Sequence, residues 1–319
     1  MLQEAELEVH TQGDVGYIAL NRTAALNALS LGMLEYLAAK LAVWKHDPKI
    51  QRLVISGRGG KAFCAGADVR AAWENANNGR YRAIRDYFAK EYAIDLELST
   101  YPKPVLAAVD VICFGAGMGL AVHSAHSIAT ERASFSMPET LIGFFPDAGA
   151  THFLSRLPGS LGLYLGMTGA RLSGPDAVHL GLVSHLVSQE RLDEAVQAFS
   201  TSGPTALEAL AVKPVGLSLE PYLAEIDEAF SQPGVDTILS TLRRIGSPFA
   251  LETLGILETR SPASLRWTLD SMKRGKTMDL EQCLENELRL VEISTQHPDF
   301  VEGVRAALID KDKRPRWQA

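Results

Sequence analysis

The spacing of hydrophobic and polar positions changes along the chain, and the first fifty residues show two periods. Residues 5–21 alternate between apolar and polar side chains and break at Gly13 and Asp14, which is typical of a β-hairpin. Residues 26–46 carry apolar side chains at helical spacing, and Ser30 is a suitable N-cap. The chain is therefore predicted to begin with a hairpin and a helix.

Short apolar runs and longer helical patterns then alternate as far as residue 190. Strands are predicted at 53–56, at 104–114 and in the segments SIAT and ASFSM; helices are predicted at 68–98 with Asp68 as a possible cap, after residue 114, and from about residue 151. Strands that alternate with helices indicate an α/β layered fold.

The pattern is almost wholly helical from about residue 190 onward. Pro204, Pro214 and Pro221 punctuate a weakly patterned region that is a candidate junction. We therefore expect an α/β core over residues 1–200 and a helical C-terminal region over residues 201–319.

Composition narrows the class of protein. The chain has 319 residues and a net charge of −7, which argues against a general binder of nucleic acid or anionic membranes. It has no apolar run long enough to span a bilayer, and its first ten residues resemble neither a signal nor a transit peptide. Cys64, Cys113 and Cys283 are far apart and form no CxxC motif, so we expect a reducing compartment, the cytoplasm or an organelle matrix.

Two segments join a strand to small residues and then to a helix, AFCAGADV (62–69) and CFGAGMGLA (113–121). Small residues let a ligand approach the backbone, and the N–H groups at a helix N-terminus favour negative charge. Two such loops on neighbouring strands could direct two N–H groups at one oxygen and form an oxyanion hole. Tight packing of helices on a sheet is the alternative explanation of the same residues.

Two carboxylates, Glu139 and Asp147, lie in the otherwise apolar stretch FSMPETLIGFFPDAGA (135–150). A carboxylate in an apolar site is suited to acid–base or nucleophilic chemistry. Glu139 could instead begin a helix after Pro138, and Asp147 could cap a helix that begins near Ala148.

Other candidate motifs are weaker. His123 and His126 are spaced like a pair of metal ligands but have no evident third ligand, so we expect no metal site. The GRGGK segment lacks Walker spacing, and the chain contains no GxSxG nucleophile motif.

Taken together, four segments resemble the crotonase (enoyl-CoA hydratase/isomerase) superfamily in order and spacing. They are NRTAALNALS (21–30), GKAFCAGADV (60–69), GAGMGLA (115–121) and MPETLIGFFPDAGA (137–150). Within the superfamily the chain looks most like the 3-hydroxyisobutyryl-CoA hydrolases, through Asp147, EYAI (91–94) and the ending FVEGVRAALIDKDKRPRW (300–317).

The resemblance implies repeated ββα units in a spiral, C-terminal helices and an acyl-CoA substrate. It assigns the oxyanion-hole N–H groups to Ala67 and Ala116. Contacts to CoA are implied for Ala25, Leu26, Ala65 and Asp68, and contacts to the acyl group for Glu91 and Gly115. Lys61 could approach a phosphate, although a solvated loop lysine is the favoured explanation; Lys311, Lys313 and Arg314 are further candidates for phosphate contacts. It implies no cofactor other than the CoA of the substrate, no nucleic-acid or membrane partner, and a homo-oligomer such as a trimer.

The resemblance also bears on the reaction. Hydratases of the superfamily use two glutamates, one at the position of Glu139 and one at the position of Gly119, so the hydratase pair is incomplete here. Thioester hydrolysis needs only the oxyanion hole and Glu139, as nucleophile or as general base, with Asp147 binding the substrate hydroxyl or orienting water. Hydration or isomerisation by the same superfamily, and a CoA-thioester binding protein without catalysis, are the alternatives.

Overall fold

The computed structural model describes residues 6–318. Their strands are β1 Leu7–Gln12, β2 Val15–Leu20, β3 Arg52–Gly57, β4 Ala62–Cys64, β5 Val105–Val109, β6 Ile112–Phe114, β7 His126–Ala129, β8 Ser134–Ser136, β9 Leu172–Ser173 and β10 His185–Leu186. Their α-helices are α1 Leu31–His46, α2 Val69–Asn77, α3 Tyr81–Ser99, α4 Ala116–His123, α5 Ala150–Phe153, α6 Leu161–Thr168, α7 Gly174–His179, α8 Leu192–Ser202, α9 Leu223–Phe230, α10 Val235–Ile245, α11 Pro248–Glu258, α12 Pro262–Gly275, α13 Leu280–Ser294 and α14 Pro298–Val304. The start of the hairpin pattern and half of the segment compared with signal peptides fall on residues 1–5, outside the described residues.

The described chain divides into two compact units built from alternating segments. The first, here the sheet unit, comprises residues 6–68, Lys90–Phe135 and Leu172–Leu217. The second, here the helical unit, comprises Val69–Ala89, Ser136–Arg171 and residues 218–318. The division of the sequence at residue 200 stays a prediction.

Two sheets make up the centre of the sheet unit. The larger has the order β1-β2-β3-β5-β7-β10, with β1 and β2 antiparallel and the later neighbours parallel; the smaller has the order β4-β6-β8-β9. The strand pairs β3–β4, β5–β6 and β7–β8 each send their first strand to the larger sheet and their second to the smaller one. This repetition confirms the predicted ββα units.

One face of the larger sheet is covered by α8. The buried cluster there consists of Val15, Val54, Leu106, Ala108, Ile128, Val187, Ala195, Phe199, Leu207 and Leu210. Ala195 and Phe199 are four residues apart on α8, so they lie on the same side of that helix and face the strands. Burial of this apolar surface stabilises the packing.

The hairpin and the N-cap predicted near the N-terminus are confirmed, whereas the helix begins later than the apolar pattern that starts at residue 26. The hairpin turns at Gly13, whose φ of +61° suits glycine. The Ser30 hydroxyl accepts the Met33 amide hydrogen at 3.2 Å and caps α1, which begins at Leu31. Residues 26–29 precede the helix, because Leu26 and Asn27 have positive φ values of 52° and 59°.

Two predicted elements are each two elements in the structure. The helix predicted at 68–98 is interrupted between α2 and α3, where Gly79 has a φ of +66°. The strand predicted at 104–114 bends at Asp110, and its halves β5 and β6 join different sheets. The Thr130 hydroxyl donates to the Asp110 carboxylate at 2.7 Å and holds that bend.

The helical unit packs around aromatic side chains next to the segment that carries both candidate carboxylates. The Phe144 ring centroid lies 5.4 Å from that of Phe88, 4.5 Å from that of Phe145 and 5.7 Å from that of Phe300. After α8, the regular elements of the described chain are helical, as predicted. No helix among residues 6–318 combines the length and apolar character needed to span a bilayer.

Candidate active site

The two small-residue loops lie next to each other in the sheet unit. Strands β4 and β6 are parallel neighbours with Cys64 opposite Cys113, so the loops that follow them leave the same edge of the sheet. A Cβ atom added at Gly66 would lie 3.9 Å from the Ala116 nitrogen, and one added at Gly117 would lie 2.6 Å from the Cys64 carbonyl oxygen. This close approach explains the small residues and places both candidate donors in one region.

The backbone pattern leaves the Ala67 and Ala116 amides available. Ala67 forms a parallel bridge with Leu29. In this bridge the Leu29 amide donates to the Gly66 carbonyl oxygen, and the Asp68 amide donates to the Leu29 carbonyl oxygen. The Ala67 N–H takes no part in that bridge. Ala116 is the first residue of α4, where N–H groups have no partner within the helix. Neither amide donates to an acceptor within residues 6–318.

Glu91 and Asp95 are buried carboxylates of the sheet unit, one turn apart on α3. Both raise the pKa of the nearby Cys64 thiol, although burial is the main reason that this pKa reaches about 12. The family resemblance predicts a substrate contact for Glu91 but does not single out Asp95. The signal available in the sequence was the i, i+4 spacing of two acids on an apolar helix.

The residues predicted to contact CoA surround another backbone junction of the sheet unit. The Ala65 amide donates to the Leu26 carbonyl at 3.0 Å, and Asp68 is paired with Arg22 at 2.7 Å. Ala25 ends a short 3-10 helix directly before Leu26.

A cavity of about 340 Å³ lies at this junction. It is lined by Thr23, Ala24, Leu26, Asn27, Arg58, Gly59, Lys61 and Ala62. Asn27 donates through Nδ2 to the carbonyl oxygens of Arg58 and Ala62, which fixes the wall next to the cations. The exposed Lys61 side chain gives this cavity a positive charge suited to a phosphate, whereas the exposed Arg58 guanidinium is paired with the Glu8 carboxylate at 2.9 Å.

Glu139 belongs to the helical unit and is 8% exposed. It opens a 3-10 helix, Glu139–Ile142, directly after Pro138, so the helix-start position considered from the sequence is correct. Gly143 ends this turn with a φ of +71°, and a Cβ there would lie 2.1 Å from the Asp299 carbonyl oxygen. The backbone of α14 therefore packs directly on the turn that holds Glu139.

Asp147 also belongs to the helical unit and is 4% exposed. The prediction that its side chain caps a helix is wrong, because α5 begins at Ala150, its N-cap residue is Gly149, and that cap makes no side-chain hydrogen bond. Asp147 instead accepts the Ala150 amide hydrogen through its main-chain oxygen at 2.9 Å. Its carboxylate is thus a buried group two residues before the N-cap of α5.

A carboxylate that the sequence did not single out, Glu287 of α13, lies beside the Asp147 turn. Its oxygens accept hydrogen bonds from the amides of Gly149 at 2.8 Å and Thr151 at 3.0 Å, and from the Thr151 hydroxyl. Burial, followed by the charge of Asp147, raises the pKa of Glu287 to about 8 against the lowering effect of those hydrogen bonds. No local sequence pattern indicates it, because its partners are some 136 residues away.

The remaining predicted residues are placed as follows. Gly115 and Gly119 are buried at the start of α4. Lys311, Lys313 and Arg314 are exposed after α14. No group of three or more His, Cys, Asp or Glu side chains suited to a metal ion occurs among residues 6–318.

The sheet unit thus contains the predicted oxyanion donors, the CoA contacts, Glu91 and Gly115, whereas the helical unit contains Glu139 and Asp147. The catalytic and binding roles of these residues stay predictions.

The sequence profile of the enoyl-CoA hydratase/isomerase family matches residues 15–319. The chain is 40% identical to a 3-hydroxyisobutyryl-CoA hydrolase, mitochondrial, of Xenopus tropicalis, over 99% of this chain and 85% of that protein. It is 37% identical to the Homo sapiens protein of the same name, over 98% of this chain and 84% of that one.

Two solved structures are also similar. A carnitinyl-CoA dehydratase from Mycobacterium thermoresistibile superposes with a TM-score of 0.93 at 36% identity, over 98% of this chain and 91% of that one. An enoyl-CoA hydratase from Rhodobacter sphaeroides 2.4.1 superposes with a TM-score of 0.91 at 33% identity, over 99% and 93%. The chain has the crotonase fold and belongs to the enoyl-CoA hydratase/isomerase family.

Proposed function

We propose that this protein hydrolyses a short β-hydroxyacyl-CoA thioester, with 3-hydroxyisobutyryl-CoA as the preferred substrate, to the free acid and CoA. The observation that carries the proposal is which acidic residues the chain has, and which it lacks, at the positions where the family carries its catalytic acids. Glu139 and Asp147 are both present and buried, whereas the position of the second hydratase glutamate is Gly119, a buried helix residue with no side chain. The names of the two similar hydrolases support the same substrate.

In the proposed reaction the Ala67 and Ala116 amides stabilise the negative charge that develops on the thioester oxygen. Each such donor contributes roughly 3–4 kcal/mol to transition-state stabilisation. Because both donors belong to the main chain, alanine at these positions supplies them as well as glycine does. The methyl groups narrow the space for the acyl group.

Glu139 can act on the thioester in two ways. As nucleophile, its carboxylate attacks the carbonyl carbon, the C–S bond breaks, the thiolate takes up a proton, and water then hydrolyses the acyl–Glu139 anhydride. As general base, it takes a proton from the water that attacks the same carbon, the C–S bond then breaks, and the proton passes to the leaving thiolate to give the free acid and CoA. Rapid quenching followed by mass spectrometry distinguishes them, because only the first adds the mass of the acyl group to the peptide that contains Glu139.

Substrate recognition is assigned to the remaining predicted residues. Asp147 accepts a hydrogen bond from the substrate hydroxyl, and Glu91 and Gly115 contact the acyl group. The CoA moiety lies along Ala25, Leu26, Ala65 and Asp68. Arg58 and Lys61 face its phosphates, with Lys311, Lys313 and Arg314 as further cations.

Hydration or isomerisation of an enoyl-CoA is the second candidate. The two similar structures named as a dehydratase and a hydratase favour it. It requires another group to do the work of the glutamate absent at Gly119.

The deciding experiment measures thiol release and enoyl absorbance in parallel with 3-hydroxyisobutyryl-CoA, 3-hydroxypropionyl-CoA, isobutyryl-CoA and crotonyl-CoA. Rapid thiol release confined to the hydroxylated substrates supports the hydrolase. Loss of the crotonyl absorbance without thiol release overturns it in favour of the hydratase. A blank without substrate corrects for the protein's own buried cysteines.

The cellular setting follows from the substrate and the thiols. The three free, buried cysteines favour a reducing compartment, and among such compartments we propose the cytoplasm. Fractionation of cells would test this choice against an organelle matrix, since the similar hydrolases carry the word mitochondrial in their names. The proposed substrate places it in valine catabolism. A homo-oligomer, such as a trimer, is testable by light scattering.

A further inference from the structure

Glu287 holds the turn that presents Asp147. Its two carboxylate oxygens accept three hydrogen bonds from that turn, one from the Gly149 amide and two from the amide and hydroxyl of Thr151. Glu287 is 1% exposed, so water does not compete for these donors.

The turn needs an external partner because its backbone is unusual. Ala148 has a φ of +55° and Gly149 a φ of +78°, so two successive residues lie in the left-handed region. That conformation is unfavourable for a residue with a Cβ, such as Ala148. It persists where surrounding groups fix it, and Glu287 accepts hydrogen bonds from the amides of Gly149 and Thr151, on either side of Ala150.

The packing around the turn leaves it little freedom. A Cβ at Gly275 would lie 2.1 Å from the Thr151 carbonyl oxygen, so the end of α12 contacts the turn through its backbone. The Arg156 side chain donates to the carbonyl oxygens of His152 and Gly275, which ties α5 to the same helix. The Glu287 carboxyl group adds side-chain hydrogen bonds to these backbone contacts around the turn.

We propose that Glu287 is a positioning residue that sets the orientation of Asp147 toward the substrate hydroxyl, through the Gly149 and Thr151 amides. The inference rests on the proposed function, since it concerns how the hydroxyl is recognised. Glu287 does not contact the reacting atoms. Its two oxygens accept both amides whether or not the group carries a proton, whereas a glutamine offers one acceptor and one donor.

The test compares Glu287→Gln with the matched variant Glu285→Gln, which removes an exposed glutamate of the same helix whose partner is Arg289. Thiol release gives kcat and KM for 3-hydroxyisobutyryl-CoA and isobutyryl-CoA in both variants, in Asp147→Asn, and in the Glu287→Gln/Asp147→Asn double variant. Displacement of a binding group by about 1 Å can cost on the order of a hundredfold in rate. We therefore expect Glu287→Gln to reduce kcat/KM by about tenfold to a hundredfold on the hydroxylated substrate.

We also expect kcat/KM for the deoxy substrate, isobutyryl-CoA, to be nearly unchanged in Glu287→Gln. In the double variant, Glu287→Gln should cause no further loss of kcat/KM beyond that caused by Asp147→Asn. Glu285→Gln should have the kcat/KM values of the parent protein. Thr151→Val keeps both amide hydrogen bonds and should give a smaller loss in the same direction, should Glu287→Gln fail to fold. Independently of activity, hydrogen exchange at the Gly149 and Thr151 amides should accelerate by about tenfold or more in Glu287→Gln.

Equal losses on the two substrates in Glu287→Gln, or losses that multiply in the double variant, would reduce Glu287 to a structural residue. That result differs from a failure of the proposed function. If Asp147→Asn lowers kcat/KM equally for the hydroxylated and the deoxy substrate, the role proposed for Asp147 in recognising the hydroxyl is overturned. If Asp147→Asn lowers kcat/KM mainly for the hydroxylated substrate, but Glu287→Gln and Thr151→Val lower it equally for both, only the positioning role of Glu287 is overturned.

Discussion

The Thr140 hydroxyl donates a hydrogen bond of 2.9 Å to the Met167 carbonyl oxygen, and both residues are fully buried. Met167 lies in the last turn of α6, where carbonyl oxygens have no partner within the helix. The bond therefore satisfies a buried acceptor and fixes the residue that follows Glu139.

Replacing Thr140 by valine keeps the volume and removes this donor. A buried acceptor left without a partner costs about 1–3 kcal/mol, so the free energy of unfolding should fall by that amount. Urea denaturation measures it, with Thr140→Ser as the control that keeps the hydroxyl. A Thr140→Val protein as stable as the parent would mean that the bond contributes nothing.

Glu139→Gln should nearly abolish thioester hydrolysis, because the amide is neither a nucleophile nor a base. Loss of acid–base assistance alone lowers kcat by about 10²–10⁴-fold, and loss of a nucleophile lowers it further. Steady-state thiol release measures kcat, and calorimetry with CoA should show unchanged product binding. Normal kcat in this variant would remove Glu139 from the mechanism.

Asp147→Asn keeps the shape of the side chain and removes its charge. Hydrogen bonds to charged groups contribute about 1.5–3 kcal/mol, so kcat/KM for hydroxylated substrates should fall about tenfold to a hundredfold. The same assay with isobutyryl-CoA should show a much smaller loss, since that substrate has no hydroxyl group. Equal losses would indicate that Asp147 does not recognise the hydroxyl.

Gly143→Ala tests the contact between the Glu139 turn and α14. The added Cβ would meet the Asp299 carbonyl oxygen at 2.1 Å, in addition to the cost of a φ of +71°. Gly79→Ala is the matched control, because Gly79 has a φ of +66° and its added Cβ would meet no atom within 4 Å. The control should cost about 1–2 kcal/mol and Gly143→Ala clearly more. Equal changes in the unfolding free energy for the two variants would show that the backbone of α14 moves away from the added Cβ at little cost in free energy.

The raised pKa of Glu287 predicts how stability changes with pH. Its pKa is about 8 in the folded protein, above the ordinary value of 4.5. Between these values the folded protein holds a proton that the unfolded chain has released. The contribution of Glu287 to stability should therefore be complete below pH 4.5 and decline toward pH 8 by up to about 1.4 kcal/mol per pH unit.

The measurement is the difference in unfolding free energy between the parent protein and Glu287→Gln, taken from pH 5 to pH 8.5. The contributions of the other titrating groups cancel in this difference. Glu285→Gln provides the control difference, which should stay constant. A constant difference for Glu287→Gln as well would contradict the raised pKa.

Local features were predictable from the sequence. Alternation indicated the hairpin around Gly13, Ser30 marked the start of α1, and small residues after each of two apolar runs indicated the loops at Ala67 and at Ala116. These predictions succeeded because each depends on side chains within a few residues of one another. The family resemblance supplied what local patterns could not, including the prediction that Glu139 and Asp147 act in one site.

Long-range features were not predictable. The apolar run at 104–114 carries no mark of the change of sheet at Asp110, because both halves are buried. The role of Glu287 depends on the return of α13 to the turn at Gly149, which only the tertiary structure reveals. The one-turn spacing of Glu91 and Asp95 is a local signal, but it does not by itself indicate burial, because charged residues in helices usually face solvent.

The parallel register of β4 and β6 has a consequence for how this protein tolerates mutation. The amides that we assign to the oxyanion hole belong to the main chain, so a scan that changes one side chain at a time leaves them in place. Such a scan would attribute the activity almost entirely to acids such as Glu139. The donors at Ala67 and Ala116 become visible only when the backbone itself is altered, for instance by replacing an amide with an ester at either position.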